Sequence, residues 1–378
     1  MGKQSTPEFV IEWTKYTTGI LFTWPPSSKS TRLTEIIFKI CWYISLIFAV
    51  ANVLPLLSTM YYHRNNFMKF TECLSMTLCF AQVVFKLIIG KNHYNRLQYL
   101  IEEMKTFVEN ASPHEREVLT KYVKRVSPFY LLYNIITLGA TLVYVFGPFI
   151  MDQPFPNVAE FPFPVDEHPV YDIVFVLEAI AGVQCGCSSG FICQTCLLLW
   201  YGTIQLNFLA EKIEHVTSSQ EVAECIAVHQ HVLWYIEETI KIVRHVVTGL
   251  LGITTISIVC GAIHIVGNEA ALKKIQSAWI QIAYAMALLA LAWAAENLTA
   301  ASEGVSWALY NSSWIFNSKK LMHRAAIFMT QKCQHPPRIA IGGFMPELSM
   351  EYYTKYMSAV YSFFTMVHVM LQKFEENR

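Results

Sequence analysis

Hydrophobic positions along this chain gather into blocks of roughly twenty residues, the length at which a helix rising ~1.5 Å per residue crosses a hydrocarbon core about 30 Å thick. Seven blocks predict membrane-spanning helices over residues 36–60, 68–90, 128–150, 171–201, 246–266, 275–296 and 348–372. Three of the segments between them are more polar yet repeat apolar side chains at helical spacing. Leu97, Leu100, Ile101, Met104, Phe107 and Val108 do so within 94–124, and similar stripes run through 205–244 and 307–333. Such amphipathic helices prolong the spans into a bundle outside the bilayer. The connector 154–169 differs, because its five prolines and lack of lysine or arginine predict an extended, rigid segment. The expected fold class is an all-α membrane protein with seven transmembrane helices and a helical anchor bundle. A single unit, 1–378, divides into an N-terminal segment 1–35, spans one to six over 36–296, an anchor region 297–347 and the last helix 348–372.

The last block is patterned unlike the others. Ser358, Ser362, Thr365, Val369 and Gln372 recur at steps of four and three, which gathers them on one helical stripe of small and polar side chains. Tyr352, Tyr353, Tyr356, Met357, Val360, Phe363, Phe364 and Met370 occupy the remaining surface. A membrane helix with one wettable face calls for water or a polar partner along it.

Composition agrees with the blocks: 54% of residues are hydrophobic and 15% charged, with mean hydropathy +0.35, whereas soluble domains are about a quarter charged. The formal net charge of zero points to no acidic or basic partner, nucleic acid included. Its distribution is more informative. Nineteen lysines and arginines fall on the side of the N-terminus and six on the other. Positive charge is retained in the cytoplasm, so the N-terminus and the anchor bundle are expected inside and the C-terminus outside. That is the reverse of a G-protein-coupled receptor. The first residues hold no continuous apolar stretch with a small-residue cleavage site, so no signal peptide is expected.

Candidate chemistry is sparse. Most of the ten cysteines sit inside apolar blocks, which argues against a disulfide framework. Cys185, Cys187, Cys193 and Cys196 include a Cys-x-x-Cys, yet they lie beside Gly182, Gly186 and Gly190 in an apolar span, a setting suited to close helix packing rather than metal. No histidine pair has zinc-binding spacing, and nothing resembles a phosphate loop, a nucleophile elbow or a Ser-His-Asp arrangement. Neither an enzyme nor a cofactor is expected.

Lys86, Glu178 and Glu296 are the main ionisable residues within spans. Lys86 and Glu296 lie near cytoplasmic ends, where snorkelling to water is expected. Glu178 is deeper, a place that suits either a functional group or an interhelical hydrogen bond. A pocket for a small apolar ligand is expected in the outer halves of spans two, three, four and six. Its candidates are Met76, Thr77 and Phe80; Thr141, Tyr144 and Val145; Phe175 and Glu178; and Trp279, Ile280, Ala283 and Tyr284. Ordinary helix packing would use the same residue types.

Three features near the C-terminus resemble the insect odorant receptor family. They are Ala308, Leu309 and Tyr310 with Trp314 after span six, the run IAIGGFMPELS from Ile339 to Ser349, and Tyr361-Ser-Phe-Phe-Thr365 followed by Val369 and Gln372. The resemblance implies a ligand-gated, non-selective cation channel of four subunits in the plasma membrane of a sensory dendrite. Each subunit would give its last helix to a central pore, and a small volatile odorant would bind among spans two, three, four and six. The gate is implied at Val369 and Gln372; Thr365, Ser362 and Ser358 continue the pore wall by their place on the stripe. The family's shared co-receptor has a long insertion between spans four and five, whereas 205–244 is short here. A ligand-tuning subunit is therefore implied, partnered by the co-receptor in a heterotetramer, with a homotetramer as the alternative. The ending also carries a degenerate form of the gustatory receptor motif, so a gustatory-type channel is a second reading. A metabotropic seven-helix receptor is a third, and its usual Asp/Glu-Arg-Tyr and Asn-Pro-x-x-Tyr signals are missing.

Orientation can be checked cheaply. Asn110-Ala-Ser, Asn297-Leu-Thr and Asn311-Ser-Ser would all face the cytoplasm and escape glycosylation. Glycosidase treatment should leave gel mobility unchanged, and a shift traced to Asn110 or Asn311 would reverse the orientation.

Overall fold

The computed structural model describes residues 6–150, 154–165, 167–267, 270–312, 320–343 and 345–376; the side chains of 219, 320–326 and 371–376 lie outside the described set. Helices follow in the order α1 (Pro7–Gly19), α2 (Arg32–Tyr62), α3 (Phe67–Asn92), α4 (Tyr94–Asn110), α5 (Pro113–Phe146), α6 (Val170–Cys187), α7 (Ser189–Glu214), α8 (Ser219–Val266), α9 (Ala271–Asn311), α10 (Lys320–Cys333) and α11 (Met350–Glu376). Among the described residues the β structure is one isolated bridge, Ile341 to Met345.

Six helical stretches are long and apolar enough to cross a membrane, and they match the first six expected spans. The fourth is compound: α6 and α7 make one apolar stretch, Val170–Glu214, broken at Ser188. The seventh, α11, has 27 residues, about 40 Å of helix. It has the length of a span but a more polar make-up than the other six. The connector before α6 is free of helix over 154–165, as its prolines require.

Apolar surface on the outside supports the same assignment. Leu33, Ile36, Ile40, Ile44 and Ile47 on α2 and Leu131, Ile135, Leu138 and Leu142 on α5 are all exposed. Water would not tolerate so continuous a belt, whereas lipid tails are as apolar as these side chains.

Packing concentrates on α7. Phe191, Ile192, Cys196, Leu198, Leu199 and Leu206 are fully buried, and so are Gln194 and Thr195, so the first four turns of the helix are enclosed on nearly every face, and only its last turns reach the surface. It packs against α8, α9 and α1. The approach of α1 depends on Gly190, where a Cβ would stand 2.8 Å from Thr17 Oγ1 and 3.2 Å from the Thr17 carbonyl carbon.

The anchor bundle forms because α8 outruns the bilayer. Its 48 residues make about 72 Å of helix, more than twice a hydrocarbon core. A capping box starts it: Ser218 Oγ accepts the Glu221 N–H at 3.2 Å while Glu221 Oε2 accepts the Ser218 N–H at 3.1 Å, satisfying donors that a helix start leaves free. Against this end of α8 lies α4, whose buried Leu97, Leu100, Ile101 and Met104 are the stripe expected from the sequence. Arg96 pairs with Glu238, His231 Nε2 lies 2.9 Å from Glu103 Oε1, and Tyr235 OH donates to the Leu100 carbonyl at 3.4 Å.

A pH dependence follows from the α3–α4 junction. His93 Nδ1 accepts from Arg96 Nη1 at 2.7 Å, and its ring centroid is 5.1 Å from that of His245. Burial, the Arg96 guanidinium and His245 hold the His93 pKa below its ordinary value, with Glu238 opposing them. The unfolded chain therefore binds a proton at this histidine more readily than the folded one, and stability falls as pH drops through the ordinary histidine range near ~6.5. The melting temperature should decline between about pH 7.5 and about pH 5.5. His93→Gln, which keeps an acceptor for Arg96, should decline less; coincident profiles would exclude His93 as the source.

Candidate functional site

Around the break at Ser188 the side chains of α3, α5, α6, α8 and α9 line a cavity of about 90 Å³. Two glycines of α6 let α5 come close enough to form its wall. A Cβ on Gly182 would stand 2.5 Å from the Tyr144 ring, and one on Gly186 would stand 2.0 Å from Thr141 Oγ1. Phe80 meets Tyr144 edge to face at 5.9 Å, which closes the side formed by α3.

The polar end of the cavity centres on Lys86. Its ammonium donates to Ser188 O at 3.2 Å, Ser188 Oγ at 3.0 Å and Gln82 Oε1 at 3.3 Å. Gln82 donates in turn to Tyr284 OH at 3.4 Å. Two thiols complete this end: Cys79 Sγ and Cys185 Sγ lie 3.4 Å apart, from α3 and α6. The expectation that Lys86 snorkels to water is thus wrong. It is 6% exposed and turns inward, because the helix break presents two acceptors, Gln82 of its own helix adds a third, and a buried ammonium needs them. Glu296 does reach the surface, where its Oε2 accepts the Met350 N–H at 3.3 Å.

The expected pocket residues divide. Met76, Phe80, Thr141, Tyr144, Ile280, Ala283 and Tyr284 line the cavity. The other five stand elsewhere. Thr77 is buried and bonded to the Cys73 carbonyl at 2.7 Å; Val145 packs in the cluster around Leu56 and Ala181; Phe175 stacks on Tyr171, toward the connector. Trp279 Nε1 donates to the Ile136 carbonyl at 2.7 Å, with its ring over Gly139 in the α5–α9 seam. Glu178 is buried with Oε2 accepting the Asn157 N–H at 2.9 Å, which ties the proline-rich connector to α6. Its partner is a loop amide, not another membrane helix.

Lys86, Gln82, Cys79, Gly186, Gln276 and Leu250 line the cavity without having been singled out as pocket residues. The spacing of Gln82 and Lys86, one turn apart in an apolar helix, is the signal that could have found the first two. Leu250 comes from the fifth span, which no pattern tied to the site. Among the described residues no group of three His, Cys, Asp or Glu side chains could hold a metal ion. Cys185 meets Cys79 of another helix rather than its own neighbours in sequence.

The final helix is docked by one end. Tyr352, Tyr353 and Tyr356 pack against the main core, and Tyr356 OH lies 3.2 Å from Thr255 Oγ1 of α8. Ser358, Ser362, Thr365 and Val369 are exposed in the single chain. Ser362 donates to the Ser358 carbonyl at 2.9 Å and Thr365 to the Ser362 carbonyl at 2.8 Å. Gln372 is helical, and its side chain lies outside the described set.

With this geometry in view, comparison with known proteins decides the family. A family model described as 7tm Odorant receptor matches residues 66–361, well over half of the chain. This chain belongs to the 7tm odorant receptor family. It is similar to the odorant receptor Or2 of Anopheles gambiae, 23% identical over 221 residues that cover 53% of this chain and 56% of that protein. The chain thus spans about half the length of the curated relative it matches. The fold is similar to that of the insect olfactory receptor OR5 from Machilis hrabei in complex with eugenol, with a TM-score of 0.82, 11% identity and coverage of 95% of this chain and 98% of that one. A second structure of the same receptor gives a TM-score of 0.82 at 12% identity, covering 94% and 97%. The family resemblance seen near the C-terminus is borne out, as is the all-helical membrane fold. The family is one of receptors rather than enzymes.

Tyr144 offers a direct test of the cavity's chemistry. Its hydroxyl is buried with no hydrogen-bond partner among the described residues, an arrangement that costs about 1–3 kcal/mol. Tyr144→Phe should therefore leave the melting temperature of the ligand-free protein unchanged or raise it by a few degrees. A clear drop would mean that the hydroxyl already has a partner.

Proposed function

We propose that this chain is a subunit of an odorant-gated, non-selective cation channel, with its N-terminus in the cytoplasm and its C-terminus outside. A small volatile ligand occupies the cavity at the α6–α7 break, and α11 from each of four subunits walls the pore. One observation carries the reading: a chain of the odorant receptor family combines a mostly apolar cavity holding an unpaired hydroxyl with a last helix whose Ser-Ser-Thr face is left uncovered. The short 205–244 connector supports a ligand-tuning role beside a co-receptor subunit.

The cavity suggests how binding and opening are coupled. At about 90 Å³ it is smaller than the ~150 Å³ that accommodates benzene. An odorant must therefore spread α3, α5, α6 and α9 as it enters, and a ligand that fits the spread form better shifts the population toward it. Tyr144 OH needs an acceptor and Gln82 and Tyr284 offer further polar atoms, so an aromatic or terpenoid bearing an oxygen is the favoured class. Eugenol, held by the Machilis receptor, is of that kind.

The pore reading has a physical basis as well. The Ser362 and Thr365 hydroxyls each donate to their own helix, so oxygen lone pairs are what they present outward, and lone pairs suit cations. Val369, at the outer end of the stripe, would form an apolar ring that keeps the path dry until the helices turn or spread. Gln372 lies one turn beyond.

Whole-cell recording from cells expressing the chain with and without a co-receptor, and with no added G protein, tests the proposal. Odorants including eugenol should evoke cation current. Ala283→Trp, which fills the cavity, should lower potency by more than about tenfold at unchanged surface expression. Val369→Ala and Gln372→Ala should alter conductance or ion preference, and unchanged permeation in both would remove α11 from the pore.

A further inference from the structure

A second cavity lies away from the odorant site, between α1, α4, α5 and α7, and its volume of about 390 Å³ is several times larger. On the scale where ~150 Å³ holds benzene, it has room for an alkyl chain on the order of a dozen carbons. We propose that this cavity is a lipid-binding site that takes one acyl chain of a membrane phospholipid.

The first support is the state of its polar groups. Thr14 Oγ1 donates to the Val10 carbonyl at 2.8 Å and Thr17 Oγ1 to the Thr14 carbonyl at 3.0 Å. Trp200 Nε1 donates to Tyr130 OH at 3.0 Å, Asn134 Nδ2 donates to the Tyr130 carbonyl at 2.7 Å, and Asn207 donates to Tyr122 OH. None of the buried, unpaired side-chain atoms among the described residues belongs to this cavity. Tyr144 in the odorant cavity is the contrast. A wall without such an atom discriminates in favour of an occupant that brings no hydrogen-bonding group, which is an alkyl chain rather than an oxygenated odorant.

The second support is the mouth. Phe9, Trp13 and Leu131 line the cavity and are also exposed. Leu131 continues along α5 into the exposed Leu132, Ile135 and Leu138, the belt already assigned to lipid. The cavity therefore opens onto the bilayer, and what covers the belt can enter it. Lys124 and Arg125 stand exposed on α5, near the turn where the helix enters the membrane, and form no ion pair among the described residues. They attract anionic headgroups from the leaflet facing that side, and the cytoplasmic identity of that leaflet rests on the orientation proposed above. The aromatic rings of α1 then cover the chain like a flap at the headgroup boundary.

The test is photolabelling of the full chain in nanodiscs of phosphatidylcholine carrying a diazirine near the middle of one acyl chain. Mapped adducts are expected on α1 and on residues 122–134 of α5, in addition to the outer belt around Ile135 and Leu138. In Val123→Trp and Leu197→Trp, which fill the cavity, wall adducts should fall by on the order of fivefold while belt adducts persist, since close-packed space admits no chain. The belt signal shows that each variant is embedded in the disc. Wild-type adducts confined to the belt would overturn the proposal, as would equal wall labelling in the filled variants. Displacement of the wall adducts by eugenol at concentrations that evoke current would also overturn it, by identifying a second odorant site. Loss of odorant response in Ala283→Trp with intact wall labelling would leave this site standing, so the two proposals fail separately.

Discussion

A lysine ammonium withdrawn from water must find acceptors wherever it sits, and Lys86 finds them at the one place where the central helical stretch is interrupted. Ser188 supplies both its carbonyl and its hydroxyl, and Gln82 supplies an amide oxygen from one turn away. The contact joins α3 to the α6–α7 break and holds the break's polar groups on the inside. On one side of it α7 proceeds as a helix enclosed by α1, α8 and α9; on the other, α6 turns its glycines to α5 and leaves space for a cavity. The dense core and the candidate ligand site meet at this single polar joint.

The two cavities have similar walls and opposite hydrogen-bonding needs. The smaller one contains a phenol with no hydrogen-bond partner among the described residues, a glutamine and the lysine cluster; the larger contains none of the buried, unpaired side-chain atoms among the described residues. Unpaired buried polarity costs stability, and natural cores avoid it unless something else uses it. That difference, more than volume, distinguishes the proposed odorant site from the proposed acyl-chain site. Glu178 belongs to a third arrangement, in which a buried carboxylate anchors the proline-rich connector through the Asn157 amide and so positions the loop over the end of α6.

In the last helix, docking and exposure are segregated along its length. Three tyrosines near its start bind it to α8 and α9, while the stripe from Ser358 to Val369 remains uncovered. A helix held at one end can pivot about that end, and its hydroxyls, bonded to their own backbone, need no partner to remain stable while it does.

What the sequence determined by itself was the set of elements. A backbone inside lipid must satisfy its hydrogen bonds locally, so blocks of apolar residues of bilayer length become helices whatever surrounds them, and the first six spans were legible for that reason. The last was legible from its stripe, since a period of 3.6 is a property of the chain alone. The amphipathic repeat of Leu97, Leu100, Ile101 and Met104 likewise announced the anchor bundle. Which side chains share a cavity was decided only by tertiary structure, because rotation of each helix about its axis is set by its neighbours: Trp279 and Thr77 have the composition of pocket residues yet face a seam and a backbone carbonyl. Lys86 shows the limit most clearly. Its distance from the helix end suggested water, but the acceptors that hold it belong to Ser188, 102 residues away in sequence, and only folding brings them together.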